Sequence, residues 1–409
     1  MKISPSSRWG RYVQEKNIIN QIAKELQKNG KNIINVTSGD PVIHGFKNDE
    51  IDDYLIKAIK DGWNMYASSS LKYEVKKTVA NFEKKTEGGN YSPDDILLSP
   101  GCATALFTVN YSLLDSGDEI IAPDPSHYLG PPTSYWSCFG AKVIPCRSEE
   151  VKNWNPDVDD LRLKINKKTK AIFINNPNNP TGVIYDERIL KKIVNIAGEF
   201  NLPLIGDEIY RLITLNDKKA DSLSKIAKDV PTIILNGLSK LFIRTGWRFG
   251  YICLHDPEEK VQELMKAIKI ANTAYGHAER GIATPIMVAA KMAFEQHPMK
   301  ASIDFLNELQ IRRDYVIKRI TEINGMSCIN PEATLYAFPK INTIPAIWKT
   351  DEEFLIDLLK EEQLMFNAGY KYGKQGFGHI RTLLLPKIEI QEEIYNRVER
   401  FLKKRTINN

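Results

Sequence analysis

Seven short apolar runs, separated by longer helical patterns between about residue 46 and residue 295, constrain what this chain can fold into. They are Ile96 to Ser99, Glu119 to Ala122, Lys142 to Pro145, Ala171 to Asn175, Pro203 to Gly206, Thr232 to Leu235 and Phe249 to Leu254. None alternates strictly between apolar and polar residues, the pattern of strands buried on both faces. They predict one mainly parallel, seven-stranded sheet covered by helices, an α/β architecture. Polar residues collect at the carboxyl ends of the runs, the edge at which open α/β sheets bind ligands. After about residue 300 the pattern changes to a long charged helix, Ile303 to Ile323, and then to short mixed segments around Leu335 to Phe338 and His379 to Leu383. A smaller α+β domain is therefore expected, since 409 residues exceed one ordinary core.

Chemistry gathers at the predicted edge. Lys240, in Asn236-Gly237-Leu238-Ser239-Lys240, leaves the run Thr232 to Leu235, and Gly246-Trp247-Arg248-Phe249-Gly250 follows. A lysine there with an arginine close behind suits an aldehyde cofactor that carries a phosphate. The amine can form a Schiff base, and the planar guanidinium can fork onto phosphate oxygens. Pyridoxal 5′-phosphate meets that description. A solvated side chain is the ordinary fate of a lone lysine, but three further motifs lie at the same edge. Asp207, in Leu204-Ile205-Gly206-Asp207-Glu208-Ile209-Tyr210, can keep a ring nitrogen protonated, as an electron sink requires. Ser99-Pro100-Gly101-Cys102-Ala103-Thr104 turns from strand to helix and points free N–H groups at an anion. Asn176-Pro177-Asn178-Asn179-Pro180-Thr181-Gly182 is a loop on any reading.

Together these residues resemble the class I/II aminotransferases, in the fold-type I group of pyridoxal-phosphate enzymes. Over nearly the whole chain the similarity is greatest to the alanine aminotransferase branch, carried by the motifs at 176 to 182 and 236 to 240 and by Gly-His-Ile-Arg-Thr-Leu-Leu-Leu-Pro at 378 to 386. The resemblance implies a fold-type I transferase with a large cofactor-binding domain (46–295), a small domain (296–409) and an amino-terminal segment (1–45) packed with the small one. It implies Lys240 as Schiff-base lysine and proton shuttle, Asp207 as pyridinium partner, and Tyr210 and Asn179 as hydrogen-bond partners of the cofactor's phenolic oxygen. The backbone of Cys102, Ala103 and Thr104, the Ser239 hydroxyl and Arg248 would hold the phosphate, with Ala103 replacing the small hydroxyl residue of many relatives. Arg381 resembles the clamp for the substrate α-carboxylate, beside Asn179, and Gly39 the place where backbone approaches substrate. Tyr66 matches a tyrosine that reaches the phosphate of the neighbouring subunit, which implies a homodimer with shared active sites; Leu71 stands where relatives carry glycine. The aromatic residue stacked on the cofactor falls on His127, or on Tyr128 if the loop shifts by one residue. An imidazole at His127 could also titrate near neutral pH.

The expected reaction is ping-pong transfer of an amino group between an L-amino acid and a 2-oxo acid, with alanine and 2-oxoglutarate favoured. Aspartate, aromatic or 2-aminoadipate transamination, or β-elimination by a lyase of the same fold, are the alternatives. For a distal carboxylate, Arg244, Arg280 and Lys371 are candidates by vicinity alone. A net charge of +5, with both signs interleaved, argues against nucleic acid as partner. The six histidines show no paired ligand spacing, so no metal is expected. Five cysteines without a CxxC spacing read as reduced thiols in the cytoplasm. No apolar run is long enough to span a membrane. Val13, Ile18, Ile19, Ile22, Ala23 and Leu26 predict an amphipathic helix, not a signal peptide.

Overall fold

A computed structural model describes residues 18–129, 135–275 and 279–406. The amino-terminal helix Ile18–Lys28 buries Ile19 and Ala23 and packs on the helix Asp351–Glu362; Val13, expected on the same face, lies outside the described residues. Strand β1 (Ile34–Asn35) follows. The large sheet comprises β2 (Ile96–Ser99), β3 (Glu119–Asp124), β4 (Lys142–Arg147), β5 (Thr169–Asn175), β6 (Leu204–Asp207), β7 (Thr232–Gly237) and β8 (Gly250–His255). Its order is β2-β8-β7-β6-β5-β3-β4. Only β8 runs against its neighbours; the other pairs are parallel. All seven expected strands form. Several run a residue or two past the apolar pattern, as β7 does from Leu235 to Gly237, because backbone pairing outlasts the apolar side chains. Ile233, Ile234 and Leu235 are completely buried, each stabilising the sheet by about 1.5–3 kcal/mol.

Beyond the sheet, the long helix covers Lys300–Glu322, starting before the expected Ile303. Short strands β9 (Met326–Ser327), β10 (Tyr336–Ala337), β11 (Lys340–Ile341), β12 (Leu364–Met365), β13 (Asn367–Ala368) and β14 (Ile380–Leu383) follow. β9 pairs with β11, and β10 and β13 flank β14. β12 pairs in parallel with β1, which joins the amino-terminal segment to this region. The helix Asp351–Glu362 starts where the sequence favours it: the Thr350 hydroxyl accepts the Glu353 N–H at 3.1 Å, and three acidic residues occupy the first turn. No described helix is long and apolar enough to cross a membrane.

Behind the sheet edge lies a dry ionic network. Arg211 meets Glu83 at 2.5 Å and Glu208 at 3.0 Å, and all three side chains are at most 3% exposed. Tyr251 and Asn236 donate to Glu83, and Ser222 and the Leu223 N–H donate to Glu208. One guanidinium thus serves two carboxylates. Burial pushes the Glu208 carboxyl up to about 7 against the pull of Arg211. The folded protein then holds a proton that the unfolded chain has released, from about pH 4.5 to about 7, so stability falls as pH rises through that window. Glu208→Gln removes this contribution. Calorimetric melting from pH 4.5 to 7 is expected to show a shallower decline of Tm with pH in the variant than in the wild type.

Candidate active site

At the carboxyl edge β5, β6 and β7 lie side by side, with Asn175 opposite Asp207 and Asp207 opposite Leu235. The loops that leave them bring Asn179, Asp207, Tyr210, Ser239, Lys240 and Arg248 to one cavity of about 430 Å³. Cys102 and Ala103 enter from the turn after β2, and His127 and Tyr128 from the loop after β3. Gly39 and Arg381 close the other side. Two expected site residues do not line this cavity. Thr104 turns its hydroxyl back to the Pro100 carbonyl at 3.3 Å, although its N–H still precedes the first helical bond, from Ala105 to Gly101. Tyr66 is 96% exposed and borders a separate cavity with Lys72 and Arg280. Leu71 falls in the first turn of the helix Ser69–Lys85, where its N–H is capped by Ser68, so no glycine is needed.

Asp207 is buried, with one carboxylate oxygen taking the Ile209 N–H at 3.1 Å and the other the Tyr128 hydroxyl. Burial pushes its carboxyl up; the Tyr128 hydrogen bond, the Ile209 N–H and the charge of Lys240 pull it back. Tyr128 is held for this contact: its ring meets Phe173 edge-on at 4.5 Å and Tyr135 at 5.0 Å, and Trp136 donates to its carbonyl. Sequence reasoning considered Tyr128 for stacking and missed its bond to Asp207. His127 corrects a second expectation. Burial, then the charges of Arg381 and Lys240, push its imidazole down to about 4, so it is neutral at pH 7 and does not titrate there.

On the opposite wall, the buried Arg381 guanidinium lies between two phenol rings, 4.2 Å from the Tyr336 centroid and 5.2 Å from that of Tyr372. It donates to Asn179 Oδ1 at 3.1 Å and to the Thr37 carbonyl, while its Nε has no partner. A guanidinium in a cavity wall, with no carboxylate partner among the described residues, fits an incoming carboxylate. Tyr336, absent from the expected site, puts its hydroxyl 3.0 Å from that of Tyr210. Against burial, the charges of Lys240 and Arg381 and the hydrogen bond with Tyr210 bring the Tyr336 phenol below its ordinary pKa. Gly39 is required here: a Cβ would lie 2.0 Å from the Tyr336 hydroxyl. Lys240 Nζ donates to the Gly39 carbonyl at 2.7 Å.

The cavity fits pyridoxal phosphate on its own chemistry. Arg248 donates to the Thr245 carbonyl and has no carboxylate partner among the described residues, leaving its charge for an anion beside Ser239 and the start of the helix Cys102–Leu113. Asp207, raised by burial, would be held ionised by a protonated ring nitrogen. The three cations considered for a distal carboxylate do not line it. Arg244 is tied to Asp52 and two carbonyls, Arg280 lies beside Tyr66, and Lys371 sits over Tyr370.

Tyr128→Phe keeps the ring packing and removes the donor to Asp207, a bond to a charged group of about 1.5–3 kcal/mol. Fluorescence titration of the variant's apoenzyme with pyridoxal phosphate is expected to show binding about tenfold weaker than wild type, with Tm lowered by only a few degrees.

The family model for aminotransferase class I and II matches residues 31–389. Glutamate-pyruvate aminotransferase AlaA of Haemophilus influenzae is 28% identical over 389 residues, covering 94% of each chain. The alanine aminotransferase of Mycobacterium tuberculosis is 30% identical over 373 residues, covering 90% of this chain and 85% of that one. Among solved structures, an alanine aminotransferase from Pyrococcus furiosus superposes with a TM-score of 0.90 at 39% identity, covering 98% of this chain and 100% of that one. With its strand order, its lysine-bearing edge and this match, the chain belongs to the class I and II aminotransferases and is a pyridoxal-phosphate-dependent, fold-type I enzyme of the alanine aminotransferase branch.

Proposed function

We propose that this aminotransferase exchanges an amino group between alanine and 2-oxoglutarate by a ping-pong mechanism, as a cytoplasmic homodimer with shared active sites. The observation that carries the reading is the Arg381 guanidinium, which lines the same cavity as Lys240 and Arg248 and has no carboxylate partner among the described residues. When bound, pyridoxal phosphate supplies an electron sink that lets the α-hydrogen of an amino acid leave as a proton. Arg381 grips the α-carboxylate through parallel hydrogen bonds and fixes the direction of the α-hydrogen. Lys240 would bind the cofactor aldehyde, and its amine, when free, would move the proton at the substrate α-carbon. Asp207 keeps the ring nitrogen protonated. Tyr210 and Asn179 would bond the phenolic oxygen, His127 would stack on the ring, and Arg248, Ser239, Cys102 and Ala103 would hold the phosphate.

Among the described residues, the cations that line the cavity are Lys240, Arg248 and Arg381, each with a task in this scheme. The alanine aminotransferase names of the Mycobacterium tuberculosis and Pyrococcus furiosus relatives support alanine as the donor. The glutamate-pyruvate name of the Haemophilus influenzae relative supports 2-oxoglutarate as the acceptor. Tyr66, 96% exposed beside the 61% exposed Met65, supports the homodimer: it is free to enter a neighbouring site. Five cysteines outside any disulfide support the cytoplasm.

A single-turnover titration of the holoenzyme, followed by cofactor absorbance, tests the reading. Alanine and glutamate are each expected to convert the cofactor to its amine form, and pyruvate and 2-oxoglutarate to restore it. Lys240→Ala should slow the conversion by about 10²-fold or more. Continuous release of pyruvate and ammonia from a β-substituted amino acid, without any 2-oxo acid, would replace the transaminase reading with a lyase.

A further inference from the structure

We propose that Asp124 is a positioning residue for the substrate: it latches the segment carrying Tyr372 to the end of β3 and so holds Arg381 in place for a carboxylate. Asp124 is the last residue of β3 and is 2% exposed. One of its oxygens accepts the Gln375 N–H and the other the Lys374 N–H, each at 3.0 Å. Ser126 adds a bond from its N–H to the Tyr372 carbonyl at 2.7 Å. The same short stretch fastens another support of Arg381, because the His127 N–H donates to the Asn179 carbonyl at 2.8 Å. Arg381 therefore rests on Tyr372 and Asn179, and both are tied to residues 124 to 127.

The fit at the latch is close. Gly373 has φ +123°, and a Cβ built there would lie 2.1 Å from an Asp124 oxygen. The carboxylate thus packs on backbone at a position that only glycine fills. Burying a carboxylate is costly unless donors satisfy it, and here two backbone N–H groups from a distant segment do so. Asp124 itself lines no part of the cavity, so its effect on substrate passes through Tyr372 and Arg381.

The inference rests on the reading of Arg381 as the carboxylate clamp, and the test separates the two. In the holoenzyme, Asp124→Asn turns one acceptor into a donor facing an N–H, and Gly373→Ala displaces the segment while keeping the carboxylate. Arg381→Lys is the control. Propionate affinity is measured by calorimetry, cofactor affinity by fluorescence, and KM and kcat for alanine by steady-state kinetics. Both latch variants are expected to bind propionate about tenfold more weakly and to raise KM similarly, with kcat and cofactor affinity within about threefold of wild type. If Arg381→Lys loses propionate while both latch variants keep it, the latch is overturned and the clamp stands. Unchanged propionate binding in Arg381→Lys overturns the clamp and the latch with it. A fall in cofactor affinity that matches the fall in propionate affinity also overturns the inference, since the role is then one of general stability.

Discussion

A carboxylate moved from water to the dry end of a sheet costs several kcal/mol unless donors and a cation converge on it, and Asp207 sits in such a place. Much of the neighbouring structure answers that demand. The loop after β3 turns Tyr128 inward on a bed of aromatic rings so that its hydroxyl reaches the carboxylate. The chain bends after β6 so that the Ile209 N–H reaches it too. β7, the next strand in the sheet, delivers the positive charge of Lys240. The adjacent carboxylate, Glu208, faces the other way and is met by Arg211 and Ser222. Two successive acidic residues thus occupy unlike surroundings, one facing the cavity and one in the core, and only Asp207 is available to a ligand.

The sheet edge supplies the half of the site that suits a cofactor. The half that suits a substrate is assembled from both ends of the chain. Arg381 stands on β14, Tyr336 on β10 and Gly39 just beyond β1. Pairing of β10 with β14 sets the Tyr336 ring against the guanidinium, and pairing of β1 with β12 brings Gly39 within contact of the Tyr336 hydroxyl. Neither strand pair is longer than two residues, so side-chain contacts carry much of the alignment. That explains why a buried arginine is flanked by two rings and two acceptors at once.

Residues that announce themselves through local grammar were legible in the sequence. Lys240, Asp207 and Asn179 follow apolar runs at one sheet edge, and the family motifs extend that reading to Arg248 and Arg381. Tyr336 and Asp124 were not legible, because each has only a generic local setting: a phenol in an apolar segment and an acid before a proline. Their importance comes from partners far along the chain, Tyr210 and Arg381 for the first, Lys374 and Gln375 for the second. Thr104 is legible only as part of a helix start. A helix start offers several N–H groups in a row, and periodicity alone does not tell which face the ligand.

The pairing of β1 with β12 also bears on how the enzyme matures during synthesis. Asn367 donates to the Thr37 carbonyl across 330 residues of sequence, and Arg381 donates to the same oxygen. A chain emerging from the ribosome carries Lys240, Asp207 and Arg248 long before it carries β12 or β14. The cofactor half can therefore condense while the amino-terminal segment still waits for its partner strand, and loop closure over such a span is a late step. Anchorage of a substrate carboxylate therefore needs both ends of the chain, whereas Lys240, Asp207 and Arg248 all lie between them.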